Sequence, residues 1–304
     1  MATGRGANGP SKKDRREAAR EHARIMREEA AKKARRRKWW IQGSIGVVII
    51  AVLAVVALVI VNSIPQGQTS AGPKNMISDG IVLTGSAKAV RTPGIPAGGT
   101  PTPTTQSDTS GKAYITLYED LQCPFCQQFE QTNMKQITQW LDSGIAQLEV
   151  HPLNYLTSPA NGGYSLRAGN AVACVANDKP DKFLAVNSAL YDAQPKESTG
   201  GLSNSKILSI LKDAGASSSD ITECVDNTRF SDWLNAATQR ATTKKLPNSN
   251  VTTFGGTPTV IVNGQQYQGS LTDASTFQSF VETAVQDSAS TATPTPTPTP
   301  TSTK

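Results

Sequence analysis

The sequence predicts an α/β domain, built as a β-α-β opening, a helical insertion and a β-β-α close, with one transmembrane helix before it. Three observations support this prediction. A β-rich run is followed by a helical pattern, a helix-dominated stretch fills the middle of the chain, and a strand-turn-strand pattern precedes a last amphipathic helix. A separate apolar stretch near the N-terminus is long enough to cross a bilayer.

Basic charge is confined to the N-terminal tail. Residues 1–40 contain 14 Lys or Arg and 5 Asp or Glu, a net charge of +9, whereas the rest of the chain has a net charge of −3. The basic residues stop where the apolar stretch begins, so they indicate membrane topology, and we expect no nucleic-acid partner. The tail is interpreted as a cytoplasmic segment, either a helix on anionic headgroups or a solvated tail that enforces orientation.

The transmembrane helix is predicted at 41–64. This stretch has no charged residue, and Ile45–Val61 is apolar apart from Gly46, enough to cross a hydrocarbon core of about 30 Å. Trp39 and Trp40 lie at the expected interface depth, which places the N-terminus in the cytoplasm and the bulk of the chain outside. The alternative is a cleaved signal peptide, whose apolar region is usually about 7–15 residues long. We therefore expect a single-pass protein of the cell membrane.

The segments that flank the folded domain have linker-like composition. Residues 65–111 are rich in Gly, Pro, Ser and Thr and predict a flexible linker, apart from a short edge strand within Met76–Gly85. Residues 288–304 form a Thr-Pro repeat and predict a disordered tail. The domain is therefore expected at 112–287.

Each element of this domain has its own local pattern. Ala113–Tyr118 is a β-rich run fit for a central strand, a helix starts around Cys123–Cys126, and a second strand covers Ile145–Leu153. Helical patterns separated by Gly-rich and Ser-rich turns form an insertion at about 160–245. The strand Pro258–Val262, an Asn-Gly turn, a second short strand and a last helix then close the domain.

Two of the four cysteines form a Cys-x-x-Cys motif at the start of the first helix. The free N–H groups and partial positive charge of a helix N-terminus stabilise a thiolate on Cys123, and Cys126 lies one turn on, where it can resolve a mixed disulfide. The alternatives are a static disulfide and half of a zinc site. Zinc needs two more ligands, but the other cysteines lie 50 residues apart and His151 is the only histidine beyond His22, so no metal is expected.

The other two cysteines are Cys174 and Cys224. Three pairings of four cysteines are possible on the outer side of a membrane, where disulfides persist. Both of these residues fall in the helical block, so we expect a structural disulfide between two of its helices, worth on the order of 4 kcal/mol for a loop of about 50 residues. A regulatory second redox pair is the alternative.

Two segments carry a resemblance to a known family. Asp120–Cys126 (Asp-Leu-Gln-Cys-Pro-Phe-Cys) and Gly256–Gly264 (Gly-Thr-Pro-Thr-Val-Ile-Val-Asn-Gly) resemble the DsbA-like branch of the thioredoxin superfamily. The resemblance spans about 112–287 and implies a thioredoxin-like fold with a helical insertion. It also implies a cis-proline loop that faces the Cys-x-x-Cys, with Pro258 in that place.

The resemblance implies a membrane-anchored thiol-disulfide oxidoreductase with Cys123 and Cys126 as its redox pair. Unfolded exported proteins with free thiols would be the substrates, laid beside Thr257 and Pro258 as an added strand. A membrane redox partner would recycle the pair, and no cofactor is needed. The alternatives are a reductase or isomerase of exported disulfides, and a non-catalytic wall-associated binding module with a structural Cys-Pro-Phe-Cys bridge.

The chain departs from the family pattern at Leu117. Many members hold a buried carboxylate at this position, six residues before the first cysteine, where it is thought to carry the proton of the resolving thiol. Glu119 and Asp120 are the nearest acids, either proton relays that act through a water or solvated acids at a strand end. The intervening Pro124-Phe125 lacks the His or Gly of strong oxidases and isomerases, so the direction of electron flow is not predicted.

Overall fold

The computed structural model describes residues 70–106, 111–196 and 199–291. Three predictions lie outside these ranges: the basic tail at 1–40, the transmembrane helix at 41–64 and the Thr-Pro repeat after residue 291. No helix within the described ranges combines the length and the apolar composition that a membrane span requires.

A six-stranded sheet forms the centre of the described domain, in the order β2-β1-β4-β3-β5-β6. Its strands are β1 (Ile81–Gly85), β2 (Lys88–Ala89), β3 (Ala113–Glu119), β4 (Ala146–Pro152), β5 (Thr259–Val262) and β6 (Gln265–Gln266). β3 and β4 are parallel, and every other neighbouring pair is antiparallel. All seven residues of β3 are buried, as expected for the strand at the centre of the sheet.

Seven α-helices are described. They are α1 (Pro124–Asp142), α2 (Tyr164–Asp178), α3 (Phe183–Asp192), α4 (Asn204–Asp213), α5 (Ser219–Asp226), α6 (Ser231–Thr243) and α7 (Ala274–Thr291). α1 connects the parallel strands β3 and β4, and α2 to α6 form the helical block between β4 and β5. From β3 onward, the order β-α-β, helices, β-β-α is the order that the sequence predicts. α7 continues four residues past the predicted end of the domain at 287, so the prediction of a disordered tail is wrong for residues 288–291.

Alternation along the strands gives the sheet its main apolar face. Ile115 and Leu117 of β3 lie in one hydrophobic core with α1 and α7, whereas Tyr118 of β3 belongs to a smaller cluster. The rings of Phe129 on α1 and Phe277 on α7 meet edge to face, with centroids 5.2 Å apart. The two helices therefore cover the same face of the sheet.

The prediction of a flexible linker is wrong for residues 70–106, which we call the N-terminal strap. β1 lies within Met76–Gly85, where an edge strand is predicted, and pairs antiparallel with β4, so it extends the central sheet. It is not the edge strand, because β2 pairs with its other side. Met76 and Ile95 are fully buried in the main core. The domain therefore begins near residue 70 rather than at 112, because the apolar residues of this Gly- and Pro-rich segment complete the core.

Polar contacts also fix the strap to the helical block. Arg240 of α6 donates two hydrogen bonds to the Asp79 carboxylate, each 2.6 Å long, and Trp233 Nε1 donates a third at 3.1 Å. Asn75 Nδ2 donates to the carbonyl oxygen of Ala176 at 2.7 Å. These contacts join parts of the chain that lie more than 100 residues apart.

Candidate active site

The Cys-x-x-Cys motif lies where β3 ends and α1 begins. Cys123 is the N-cap residue of α1 and Pro124 occupies the first turn, where the missing N–H of proline costs no hydrogen bond. The Cys123 N–H donates to the carbonyl oxygen of Asp120 at 2.9 Å, which closes the turn between strand and helix. Cys123 and Cys126 are both buried and are not joined in a disulfide.

The predicted proline loop lies against the first cysteine. The Thr257–Pro258 peptide bond is cis, and the Cys123 thiol donates a hydrogen bond to the carbonyl oxygen of Thr257 at 3.2 Å. The loop precedes β5, which pairs with β3, so the two strands bring the cysteine and the proline together. The structure therefore brings the predicted redox pair, Cys123 and Cys126, together with Thr257 and Pro258, which are predicted to contact the substrate.

The two cysteines have opposite electrostatic environments. A hydrogen bond from the Cys126 thiol lowers the pKa of Cys123 below its ordinary value, against the opposing effect of burial. Burial raises the pKa of Cys126 well above its ordinary value, and the charges of Cys123 and Glu119 add to that effect. Cys123 is thus the thiol that ionises first, and Cys126 keeps its proton.

Asp120 connects three segments around the active site. Its carboxylate is fully buried and accepts hydrogen bonds from Gln122 N at 2.8 Å, from Leu156 N at 2.8 Å and from Ser165 Oγ at 2.6 Å. Burial raises the pKa of Asp120 to about 6, although these donors favour the charged form. Both oxygens are occupied by donors, so the geometry gives Asp120 a positioning role.

Glu119 is the acid that interacts electrostatically with the resolving thiol. Its side chain is 2% exposed, and burial raises its pKa to about 8. Its charge contributes to the raised pKa of Cys126. The alternative in which Glu119 and Asp120 are solvated acids is wrong, because both residues are buried, and each accepts a hydrogen bond from the helical block, Glu119 from Asn187 and Asp120 from Ser165.

The site contains residues that the sequence analysis missed. Gln194 Nε2 donates to the carbonyl oxygens of Leu121 at 2.9 Å and Cys123 at 3.1 Å, which ties the active-site turn to the segment after α3. No local sequence pattern indicates a role for Gln194, which lies just after α3 in the helical insertion. Glu130 is a third buried acid, one helical turn after Cys126 on α1, and this i, i+4 spacing on a mainly apolar face was a usable signal.

The second cysteine pair forms a separate disulfide. Cys174 of α2 and Cys224 of α5 are joined, as the sequence analysis expected, across a loop of 50 residues. This pairing leaves Cys123 and Cys126 as the two free cysteines of the described chain. Within the described ranges, no group of three or more His, Cys, Asp or Glu residues is arranged to hold a metal ion.

Comparison with known proteins identifies the family. A family model described as Thioredoxin matches residues 100–299. Among solved structures, the chain is similar to reduced DsbA from Mycobacterium tuberculosis, at 22% identity and a TM-score of 0.52 over 71% of this chain and 100% of that chain. It is also similar to MdbA, a thiol-disulfide oxidoreductase from Actinomyces oris, at 16% identity and a TM-score of 0.51 over 72% and 93% of the two chains. No curated protein matches the sequence significantly. The chain belongs to the thioredoxin family, and it has the fold of the DsbA-like branch.

Proposed function

We propose that this chain is a thiol-disulfide oxidoreductase that exchanges disulfides with exported proteins through Cys123 and Cys126. One observation carries the proposal: two free cysteines with opposite pKa shifts lie at a helix N-terminus, and the first of them contacts the Thr257–Pro258 loop. A static bridge does not require this difference between its two thiols. Disulfide exchange requires the difference, because the sulfur of Cys123 reacts with the substrate while the sulfur of Cys126 resolves the mixed disulfide.

In the oxidising direction, a substrate thiolate attacks Cys123 Sγ of the Cys123–Cys126 disulfide. The bond between the two cysteines breaks, a mixed disulfide forms at Cys123, and Cys126 leaves as a thiolate that takes up a proton. A second substrate thiolate then attacks the substrate sulfur, so that the substrate disulfide leaves and Cys123 is released as a thiolate. The substrate loses two electrons and the cysteine pair gains them. A membrane redox partner would remove these electrons, and the reverse sequence describes a reductase.

The surface beside the cysteines supports an unfolded polypeptide as the substrate. The side chain of Phe125, between the two cysteines, is 50% exposed. Tyr155 and Phe254 are partly exposed and meet edge to face, with centroids 5.5 Å apart. Around Gly255 and Gly256, the space where a side chain would begin is open, which gives an extended substrate strand room to approach the loop backbone.

The assay that tests this function uses the purified full-length chain and a reduced, unfolded substrate. The wild-type chain, oxidised beforehand at Cys123 and Cys126, should oxidise the substrate, and Cys123→Ala should abolish exchange. Cys126→Ala should accumulate a mixed disulfide at Cys123 when it is given the same substrate in its disulfide form, because its Cys123 thiolate attacks that disulfide and no resolving thiol follows. Cys174→Ala/Cys224→Ala is the control, because it removes only the structural disulfide. Equal rates for wild type and Cys123→Ala would contradict the proposal. Faster reduction of insulin than oxidation of thiols would instead favour the reductase or isomerase.

We further propose that residues 41–64 anchor the chain in the cell membrane and that the thioredoxin-like domain lies outside. The charge asymmetry around this stretch and its uncharged length support the proposal. In this arrangement residues 1–40 are cytoplasmic and the Thr-Pro tail from 292 onward is extracytoplasmic. Exported proteins would then meet the active site in a compartment where disulfides persist.

Labelling of intact cells tests this location. A membrane-impermeant maleimide applied after mild reduction should modify the wild-type chain at Cys123 and should leave Cys123→Ser unmodified. Labelling that appears only after lysis would contradict the extracytoplasmic location. Absence of labelling before and after lysis would favour the wall-associated module with a static bridge.

A further inference from the structure

Two residues fix the turn that carries Cys123. Asp120 accepts hydrogen bonds from Gln122 N at 2.8 Å and from Cys123 N at 2.9 Å, through its carboxylate and its carbonyl oxygen respectively. Gln194 Nε2 donates to the carbonyl oxygens of Leu121 at 2.9 Å and Cys123 at 3.1 Å. The two hydrogens of one amide nitrogen thus hold the backbone on both sides of Gln122. The N–H and C=O groups of the turn therefore have partners outside the regular helix and sheet.

The backbone of Gln194 is itself well anchored. Gln194 follows Ala193, the C-cap residue of α3, and its N–H donates to the carbonyl oxygen of Tyr191 at 3.1 Å. Pro195 comes next, and a proline disfavours the helical region for the backbone of the residue before it. The Gln194 side chain is therefore presented to the active-site turn from a fixed point of the helical block.

A second glutamine joins α1 to the end of α3 by a different bond. Gln127 Nε2 on α1 donates to the carbonyl oxygen of Tyr191 at 2.7 Å. This bond runs from one helix to the end of the other, whereas the bonds of Gln194 run to the active-site turn. Substitutions at the two glutamines can therefore distinguish the packing of α3 on α1 from the position of the turn.

The position of the Cys123 backbone determines what surrounds its sulfur. Cys123 is the N-cap residue of α1 with φ −76° and ψ 119°, and in this conformation the N-cap side chain faces the first N–H groups of the helix. Besides the Cys126 thiol, the Cys126 backbone N–H lowers the pKa of Cys123. The Cys123 thiol also lies 3.2 Å from the carbonyl oxygen of Thr257. A rotation of the Cys123 carbonyl group would therefore move the sulfur relative to both the helix N-terminus and the Thr257–Pro258 loop.

We propose that Gln194 is a positioning residue for disulfide exchange, whose amide holds the turn so that Cys123 Sγ stays between the N-terminus of α1 and the Thr257–Pro258 loop. The inference rests on the proposed function and adds to it a residue of the helical block. The hydrogen bonds of Gln194 go to backbone carbonyl groups, so Gln194 acts through Cys123. The helical block then controls the reactivity of the attacking cysteine in addition to covering the site.

Removing the donors of Gln194 without shortening its side chain tests this role. Met has nearly the length of Gln and no hydrogen-bond donor, so Gln194→Met in the full-length chain loses both bonds to the turn. The reduced variant should react with a small-molecule disulfide at least about fivefold more slowly than wild type, which is roughly the effect of one ordinary hydrogen bond. The thiolate absorbance of Cys123, followed against pH, should show a raised pKa, because the sulfur is no longer held at the helix N-terminus.

Gln127→Met is the matched control, because the same substitution removes a hydrogen bond between α1 and the end of α3 but leaves the turn in place. It should lower the midpoint of unfolding in urea about as much as Gln194→Met does. Its exchange rate should stay within about twofold of wild type, and the pKa of Cys123 should not change.

Lowered stability in Gln194→Met with a wild-type exchange rate and a wild-type pKa of Cys123 would overturn the inference and leave Gln194 a structural role. Equal slowing in Gln127→Met would also overturn it, because helix packing would then explain the effect. Failure of the wild-type chain to exchange disulfides would contradict the proposed function, but the thiolate titration needs no substrate and still decides whether Gln194 positions Cys123. If Gln194→Met does not fold, Gln194→Glu replaces it. An ionised carboxylate cannot donate to the two carbonyl groups, so the same slowing is expected, and a wild-type rate would contradict the inference.

Discussion

Cys123 and Cys126 lie three positions apart in the sequence, yet their surroundings separate their roles. Cys123 caps the N-terminus of α1, where free backbone N–H groups favour negative charge, and it receives a hydrogen bond from Cys126. Cys126 lies one turn deeper among apolar side chains and near Glu119, so burial favours its neutral form. The attacking and resolving roles therefore follow from burial and helix position, although the two residues are chemically identical.

This difference gives a prediction for the resolving position. In Cys126→Ala the hydrogen bond that most lowers the pKa of Cys123 is lost, so that pKa should rise towards its ordinary value. The ultraviolet absorbance of the thiolate, followed against pH in the full-length chain, measures the change. Cys126→Ser keeps a hydroxyl donor and should leave the pKa of Cys123 lower than Cys126→Ala does. Equal values in both variants would mean that the helix N-terminus, and not Cys126, sets the acidity of Cys123.

At the scale of elements, the sequence predicts the segments whose side chains repeat regularly. β3 ends one residue later than predicted and α1 begins within the predicted Cys123–Cys126, because a β-rich run and a helical apolar pattern specify them locally. β6 is shorter than the strand that the sequence predicts around Gln265–Gln268, since its hairpin pairs through only Val262 with Gln265 and Ile261 with Gln266. The Cys-x-x-Cys and the proline loop were also predictable, because each is a contiguous motif.

The buried acids of the active site show why the other contacts of the site could not be predicted from the sequence. Glu119 and Asp120 are neighbours in the sequence, but one meets Asn187 of α3 and the other meets Ser165 of α2. These partners lie 68 and 45 residues away, so no local pattern distinguishes a relay from a positioning residue. The same reason applies to Gln194, whose importance arises only when α3 packs against the active-site turn.

At the scale of the whole molecule, the N-terminal strap is an integral part of the domain. Composition predicted a linker because Gly, Pro, Ser and Thr dominate residues 70–106, but a few apolar and polar side chains determine its position. Asp79 is central among them: it binds Arg240, 161 residues further along the chain, and Trp233. The strap thus connects β4 to the helical block, and its contacts belong to the tertiary structure.

Removal of the Arg240 side chain is the direct test of this arrangement. In Arg240→Ala the largely buried Asp79 carboxylate, 10% exposed at its side chain, loses its cation and two of its hydrogen bonds. Breaking one partner of such a pair typically costs about 3–5 kcal/mol, so the free energy of unfolding of the full-length chain in urea should fall by about 3 kcal/mol. Limited proteolysis should then cut within residues 70–106 before it cuts the helical block.

Arg229→Ala is the matched control, because Arg229 pairs with Glu223 on the surface, where an ion pair contributes roughly 0–1 kcal/mol. Equal losses in the two variants would show that the strap is held by its apolar residues and β1 pairing, and that the Asp79–Arg240 pair adds no stability of its own.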